Sequence, residues 1–120
     1  MTAQVIESIA FRWFEAFNNK QLDKLLSLYE KDAQHYSPKL KILQPETLGL
    51  IVGVEAMRIW WQDAFERLPS LKYELKSLTA NSSRVFMEYL RTVDGQDDML
   101  VAEVLEVKEG KIIKSRVYHG

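Results

Sequence analysis

Three side chains in this sequence have the chemistry to move protons within apolar surroundings: Glu103, His119 and His35. Glu103 interrupts the apolar run of residues 99–105, and a carboxyl group in such surroundings has a raised pKa, which lets it act as an acid or a base near neutral pH. Histidine titrates near neutral pH even without perturbation. We therefore expect these three residues to be the catalytic ones, if the chain catalyses a reaction.

Each of the three also has a structural interpretation. Glu103 could form an ion pair with Arg91 or Arg116, and His119 could lie at an exposed strand end. His35 could equally be a hydrogen-bonded core residue. Two histidines and a carboxylate could ligate a metal, but the chain has no HxH or HExxH motif, so we predict no metal site.

Helical periodicity marks the segments that could support such a site. Apolar residues recur at helical spacing over residues 2–17, 21–29 and 54–68, which predicts three helices. Residues 39–52 contain Pro45 and Gly49 and are predicted to be a loop with a brief extended piece near residues 48–51.

The remaining segments read as strands. Residues 33–38 form a predicted short strand that Pro38 ends. Four longer strands follow the last helix over residues 71–76, 84–93, 99–107 and 111–119, with turn signals at Asp94-Gly95 and Glu109-Gly110. Helices first and a strand meander afterwards predict an α+β fold with a mostly antiparallel sheet.

Strand alternation selects the residues on the same face as Glu103. On its own strand they are Met99, Val101, Leu105 and Val107. On the other strands they are His35, Ser37, Val85, Met87, Tyr89, Arg91, Ile113, Ser115, Val117 and His119. The aromatic side chains of Trp13, Phe17, Trp60 or Trp61, and Tyr73 would close the walls. This predicts a cup for a small organic molecule, lined by Trp13, Phe17, Ser37, Trp60, Trp61, Tyr73, Met87, Tyr89, Arg91, Val101, Ser115 and Val117.

Composition restricts the chemistry and the partners. The chain has no cysteine, which excludes disulfides and thiolate chemistry, and its net charge of −1 argues against nucleic acid as a partner. No apolar run approaches the ~20 residues of a membrane span. Residues 1–4 lack the features of a secretion signal, so we expect a cytoplasmic protein. We expect no membrane partner and no cofactor.

The order of elements, together with several short motifs, resembles the nuclear transport factor 2-like superfamily, in its SnoaL-like and ketosteroid isomerase-like branch. The motifs are Phe-Asn-Asn-Lys-Gln-Leu-Asp at 17–23, Leu-Tyr-Glu-Lys-Asp-Ala at 28–33, Tyr-Ser-Pro at 36–38, Gly-Val-Glu-Ala at 53–56 and Glu-Gly-Lys-Ile at 109–112. The resemblance implies a single SnoaL-like domain over residues 1–120. Its fold would be cone-shaped and cystatin-like, with three N-terminal helices on a strongly curved, mostly antiparallel sheet.

The resemblance transfers only part of the isomerase machinery. Trp13 stands where the isomerases have a tyrosine that donates to the substrate oxygen, and Ser37 stands where they have the aspartate base. Glu103 matches their second oxyanion donor. SnoaL-like cyclases place their acid/base on the last two strands, where Glu103 and His119 lie, although the residue types differ.

Three functions are consistent with these residues. The first is a cofactor-independent lyase, isomerase or cyclase on an apolar carbonyl compound, with Glu103 and either His119 or His35 moving protons. The second is a non-catalytic binder of an apolar ligand, and the third is an association domain. Because the sheet is apolar on both faces and has helices for only one, we expect a homodimer formed through the other face.

Overall fold

The computed structural model describes residues 2–119. Its helices are α1 (Ala3–Asn18), α2 (Leu22–Ser27), α3 (Pro38–Leu43) and α4 (Val54–Arg67), with a 3₁₀ turn at Pro45–Thr47. Its strands are β1 (Tyr29–Tyr36), β2 (Leu50–Val52), β3 (Lys72–Ala80), β4 (Arg84–Thr92), β5 (Met99–Lys108) and β6 (Lys111–His119).

The six strands form one mixed sheet in the order β2-β1-β6-β5-β4-β3. Every neighbouring pair is antiparallel except β1 and β6, which run parallel. Helix α1 packs on β3 and β4, while α4 packs on β1 and β2. The hydrophobic core lies between these helices and one face of the sheet, so the predicted α+β class with a cone-type architecture is confirmed.

The end of α1 is tied to the beginning of β3. The Asn18 side chain donates to the carbonyl of Tyr73 and accepts from its N–H, both at 2.8 Å. This pair of hydrogen bonds sets the height at which Trp13 and Phe17, five residues and one residue before Asn18 on the helix, face the sheet. Both aromatic side chains are 1% exposed.

The prediction of a loop over residues 39–52 is wrong in its first part, whereas the brief extended piece expected near residues 48–51 corresponds to β2. Residues 38–43 form α3, whose N-cap is Ser37: its hydroxyl accepts from the N–H of Lys39, and Pro38 occupies the first helical position. Serine followed by proline is a common helix start, so the local signal was present in the sequence. The chain therefore has four α-helices among the described residues, not the three that were predicted.

Strand β1 begins at Tyr29, four residues before the predicted start at residue 33. The three charged residues 30–32 are exposed, so this part of the strand lacks the apolar alternation by which a strand is predicted from sequence. The strand extends because Tyr29 pairs with Ile112 of β6, with an irregular register between Tyr29 and Gln34. The predicted helix over 21–29 is correspondingly shorter and ends at Ser27.

The predicted inward sets on β4 and β5 are confirmed by burial. Val85, Met87, Tyr89 and Arg91 are buried on β4, and they pair in register with Leu105, Glu103, Val101 and Met99 of β5. On β6 the assignment of Ile113 is wrong. A bulge between Glu106 and Val107 shifts the register, so Ile112 is fully buried in place of Ile113.

Candidate functional site

A cavity of about 230 Å³ lies between the helices and the inner face of the sheet. Among the residues predicted for the site, those that line it are Trp13, Phe17, His35, Ser37, Trp60, Trp61, Tyr73, Tyr89, Arg91, Val101, Glu103, Val117 and His119. Met87 and Ser115 do not line it: they are buried in the sheet beside it.

Several lining residues were not predicted. They are Lys39, Ile42 and Leu43 from α3, Ala64, Arg67 and Leu68 at the end of α4, and Leu71 and Gln96 from loops. The α3 residues were missed because that helix was taken for a loop. Arg67 and Gln96 reach the cavity only through tertiary packing, for which the sequence gives no periodic signal.

Aromatic rings form most of the wall. Tyr73 stacks on Phe17 and on Tyr89 with centroid distances of 4.0 and 4.2 Å, and Trp13 stacks on Phe17 at 5.5 Å. Trp61 contacts His35 at 5.1 Å. Contacts of this kind hold flat rings in fixed positions and exclude water, so the wall suits an apolar ligand.

Glu103 is deeply buried in the cavity wall, at 1% exposure. The Tyr89 hydroxyl donates to its Oε1 at 2.7 Å, while its Oε2 is buried and has no hydrogen-bond partner in residues 2–119. Burial raises the pKa of Glu103 to about 7, and the Tyr89 hydrogen bond opposes that shift only in part. Because Oε1 is occupied as an acceptor, Oε2 is the atom available to give or take a proton.

Glu103 does not form the ion pair with Arg91 or Arg116 that the sequence allowed. Within residues 2–119 it takes part in no ion pair: the Arg91 guanidinium donates to Gln96 at 3.1 Å, and Arg116 lies on the opposite sheet face over the ring of Tyr36. A buried carboxyl that is neutralised by protonation instead of by a cation is one that can titrate in the working pH range.

A chain of hydrogen bonds leads from α1 to His35. Trp13 Nε1 donates to the Tyr29 hydroxyl at 3.1 Å, which donates to Ser115 Oγ at 3.1 Å, and Ser115 Oγ lies 2.6 Å from His35 Nδ1. An indole N–H can only donate, so the first two hydrogen bonds both point toward Ser115. Ser115 Oγ still has its own proton and a second lone pair, so it can serve Nδ1 either as donor or as acceptor.

This arrangement holds the His35 ring in place beside the cavity. Burial lowers its pKa to about 4, so the ring is neutral at pH 7. In the tautomer in which Nδ1 accepts from Ser115, the single ring proton lies on Nε2, and His35 then has a neutral N–H donor for a ligand in the cavity that it lines. Ser115 was predicted as a lining residue, and the structure makes it instead the link that orients His35.

His119 lies at the rim of the cavity and is only partly buried. It pairs in register with Val101, which lies two residues before Glu103 on β5. Burial lowers its pKa, and the nearby charges of Lys39 and Arg91 lower it further. Its position suits contact with solvent and a bound ligand together.

Two further features of residues 2–119 bear on the site. No group of three or more histidine, aspartate or glutamate side chains is placed so that it could hold a metal ion. No helix in this part of the chain has both the length and the apolar character needed to cross a membrane.

The sequence profile of the SnoaL-like domain matches residues 10–115. The chain belongs to the SnoaL-like family. The match includes nearly all of the elements that surround the cavity, from α1 to the middle of β6. No functionally curated protein sequence matches the chain.

Solved structures of other SnoaL-like and related proteins share the fold. A SnoaL-like protein of unknown function from Burkholderia thailandensis E264 superposes with a TM-score of 0.88 at 23% identity, covering 99% of this chain and 97% of that one. A candidate ketosteroid isomerase from Kribbella flavida DSM 17836 gives 0.80 at 18% identity, with 99% and 79% coverage. A candidate polyketide cyclase from Sinorhizobium meliloti gives 0.80 at 16% identity, with 98% and 100% coverage. At these identities the likeness extends to the fold alone.

Proposed function

We propose that this SnoaL-like chain is a cofactor-independent isomerase, cyclase or lyase that acts on a small, largely apolar carbonyl compound. The observation that carries the proposal is Glu103. It is a buried carboxyl with one oxygen held by Tyr89, the other without a partner, and a pKa of about 7, on the wall of an aromatic cavity. The names of the isomerase and cyclase relatives support the same reaction classes.

The proposed reaction is a proton transfer at a carbon next to a carbonyl group. Glu103, as a carboxylate, takes a proton from that carbon while the neutral His35 N–H donates a hydrogen bond to the carbonyl oxygen, where negative charge develops. The new carboxyl then returns the proton to another carbon, which completes an isomerisation, or to a leaving hydroxyl group, which completes a lyase reaction. The aromatic wall excludes water from the charged intermediate.

Replacing Glu103 by glutamine tests this function. We expect the native protein to accelerate deuterium exchange at the α-carbon of 2-tetralone, a bicyclic ketone, in D₂O. Glu103→Gln is expected to lose roughly 100-fold of that acceleration, because proton transfer by a positioned side chain contributes about 10²–10⁴-fold. Exchange is followed by proton NMR with and without protein.

The control is Glu88→Gln, which removes a carboxyl from the β4 face that points away from the cavity, and it should exchange like the native protein. Equal acceleration by the Glu103→Gln variant would contradict the proposed role. If 2-tetralone raises the melting temperature of the protein and no exchange occurs, the second candidate holds, a non-catalytic binder of apolar ligands in the same cavity.

We also propose that the chain forms a homodimer through the outer face of the sheet. Phe86, Leu100 and Tyr118 are between 43% and 49% exposed on three adjacent strands of that face, and no helix within residues 2–119 covers them. A groove on the same face carries both signs of charge, from Arg84, Glu106, Lys114 and Arg116. A patch with both signs can complement itself across a two-fold axis.

Sedimentation at micromolar concentration should therefore give a species of twice the 14.0 kDa chain mass. Phe86→Glu should shift the protein to the monomer, because it places a charge in the apolar contact. Phe11→Glu, which changes an equally exposed ring on α1, should leave the dimer intact. A single 14 kDa species for the native protein would refute the dimer.

A further inference from the structure

Four basic side chains from four different elements meet at the cavity. They are Lys39 on α3, Arg67 on α4, Arg91 on β4 and His119 on β6. Strand alternation does not select Lys39 or Arg67. It also does not select Gln96, which accepts a hydrogen bond from Arg91. The cluster is therefore a product of tertiary structure.

The cluster has little negative charge to balance it. Arg67 pairs with Asp63 at 2.7 Å, an exposed partner on the same helix. For Arg91 the structure shows a hydrogen bond to the neutral amide of Gln96, and within residues 2–119 neither Arg91 nor Lys39 takes part in an ion pair. Glu103 is the acidic residue among the lining side chains, and with a pKa of about 7 it carries only part of a negative charge at neutral pH.

Burying these cations without a counter-ion is costly. Arg91 is only 8% exposed, and a buried charge requires a partner of opposite sign to offset its lost hydration. Burial, then the charges of Arg91 and Arg67, lower the pKa of Lys39. The cations therefore repel one another across the opening. An anion bound between them would relieve both the repulsion and the lost hydration.

The rest of the cavity restricts what carries that anion. Its wall is aromatic, and the polar groups at its floor are a carboxyl and a neutral histidine, which suit an uncharged oxygen. Its volume of about 230 Å³ lies below the roughly 300–1,000 Å³ of sites for drug-sized ligands. The occupant must therefore be small, apolar in its middle and negatively charged at one end.

We propose that the ligand of this cavity is a small organic acid, with an apolar ring in the aromatic wall and a carboxylate held at the rim by Arg91 and Lys39. This proposal deepens the proposed function and rests on it for the opposite end of the ligand, where the reacting carbonyl faces Glu103 and His35. It replaces the neutral apolar compound expected from the sequence with an amphipathic anion.

The test compares two ligands of the same shape that differ in charge. We expect the native protein to bind 2-naphthoate at least about tenfold more tightly than 2-naphthamide, because hydrogen bonds to charged groups are the stronger ones and neither Arg91 nor Lys39 has an anionic partner within residues 2–119. Arg91→Gln and Lys39→Gln should each reduce that preference, and the double variant should remove it. Affinities are measured by isothermal titration calorimetry at pH 7.

Arg12→Gln and Lys76→Gln remove exposed cations away from the cavity and should keep the full preference. Because Arg91 is buried, each variant is checked by circular dichroism, and Lys39→Gln alone decides the outcome if Arg91→Gln is unfolded. Equal affinity for the two ligands, no binding of either at millimolar concentration, or a preference that Lys39→Gln leaves undiminished would overturn the proposal. A charge preference without any α-carbon exchange would leave this site standing and refute the proposed enzyme instead.

Discussion

As the pH rises from 4.5 to above 7, we expect the free energy of unfolding of the native protein to fall by roughly 3 kcal/mol relative to that of the Glu103→Gln variant. Burial raises the pKa of Glu103 from 4.5 to about 7. A raised pKa means that the folded state holds its proton more tightly. The stabilisation is therefore complete below pH 4.5 and is lost as the pH rises through 7, and each pKa unit corresponds to ~1.36 kcal/mol. Glutamine has no proton to lose, so the variant avoids that loss.

His35 contributes a slope of the opposite sign. Its pKa falls from 6.5 to about 4, so its contribution to stability is present above pH 6.5 and is lost as the pH falls toward 4. Between pH 4.5 and 6.5 the two slopes cancel in the native protein. The Glu103→Gln variant should uncover the His35 slope, and its free energy of unfolding should fall on acidification in that range.

Urea unfolding at several pH values between 4 and 9 measures both effects. Glu106→Gln, a change of the same type on β5 outside the cavity, should follow the native curve closely. Parallel curves for the native protein and the Glu103→Gln variant would show that Glu103 titrates normally, and they would also remove the main support for its catalytic role.

Trp13→Ala is expected to lower the free energy of unfolding by about 3–5 kcal/mol. Trp13 is 1% exposed, stacks against both Phe17 and Tyr73 and makes a T-shaped contact with Phe14, so its removal leaves a large void in the wall. The change also takes away the donor that begins the hydrogen-bond chain to His35.

Two companion variants separate these causes. Trp13→Phe keeps most of the ring packing and loses the indole donor, so about 1 kcal/mol of the loss should belong to the hydrogen bond. Phe11→Ala changes an exposed ring on the same helix and should stay within about 0.5 kcal/mol of the native protein. A loss below 1 kcal/mol for Trp13→Ala in chemical denaturation would contradict the structural role assigned to this residue.

The sequence predicted those parts of the site that follow from strand alternation. Once Glu103 was taken as inward, the period of two placed Tyr89 and Arg91 on the same face, and the structure has them there. The helix period likewise placed Trp13 and Phe17 toward the sheet. These rules hold because the burial of one face enforces them over each whole element.

The rest of the site depends on contacts that no local pattern encodes. The bulge between Glu106 and Val107, which buries Ile112 where Ile113 was predicted, arises from the pairing of β5 with β6. The pairing of Tyr29 with Ile112 extends β1 over the charged residues 30–32, which lie between the predicted helix and the predicted strand. The Tyr89–Glu103 hydrogen bond and the Ser115–His35 contact join different strands. Hydrophobic periodicity predicts which face a residue lies on, but not which residue of another strand it contacts.

The position of β6 in the sheet has a consequence for how the protein is made. This strand lies between β1 and β5, and its contact with His35 joins residues that are 80 apart in the chain. Pairings this distant in sequence slow folding, since the entropy of closing the intervening loop must be lost first. On the ribosome, β1 and β5 would each keep one unpaired edge until residues 111–119 have been synthesised. A nascent chain at that stage would be open to pairing with other chains, and chaperone contact would matter most then.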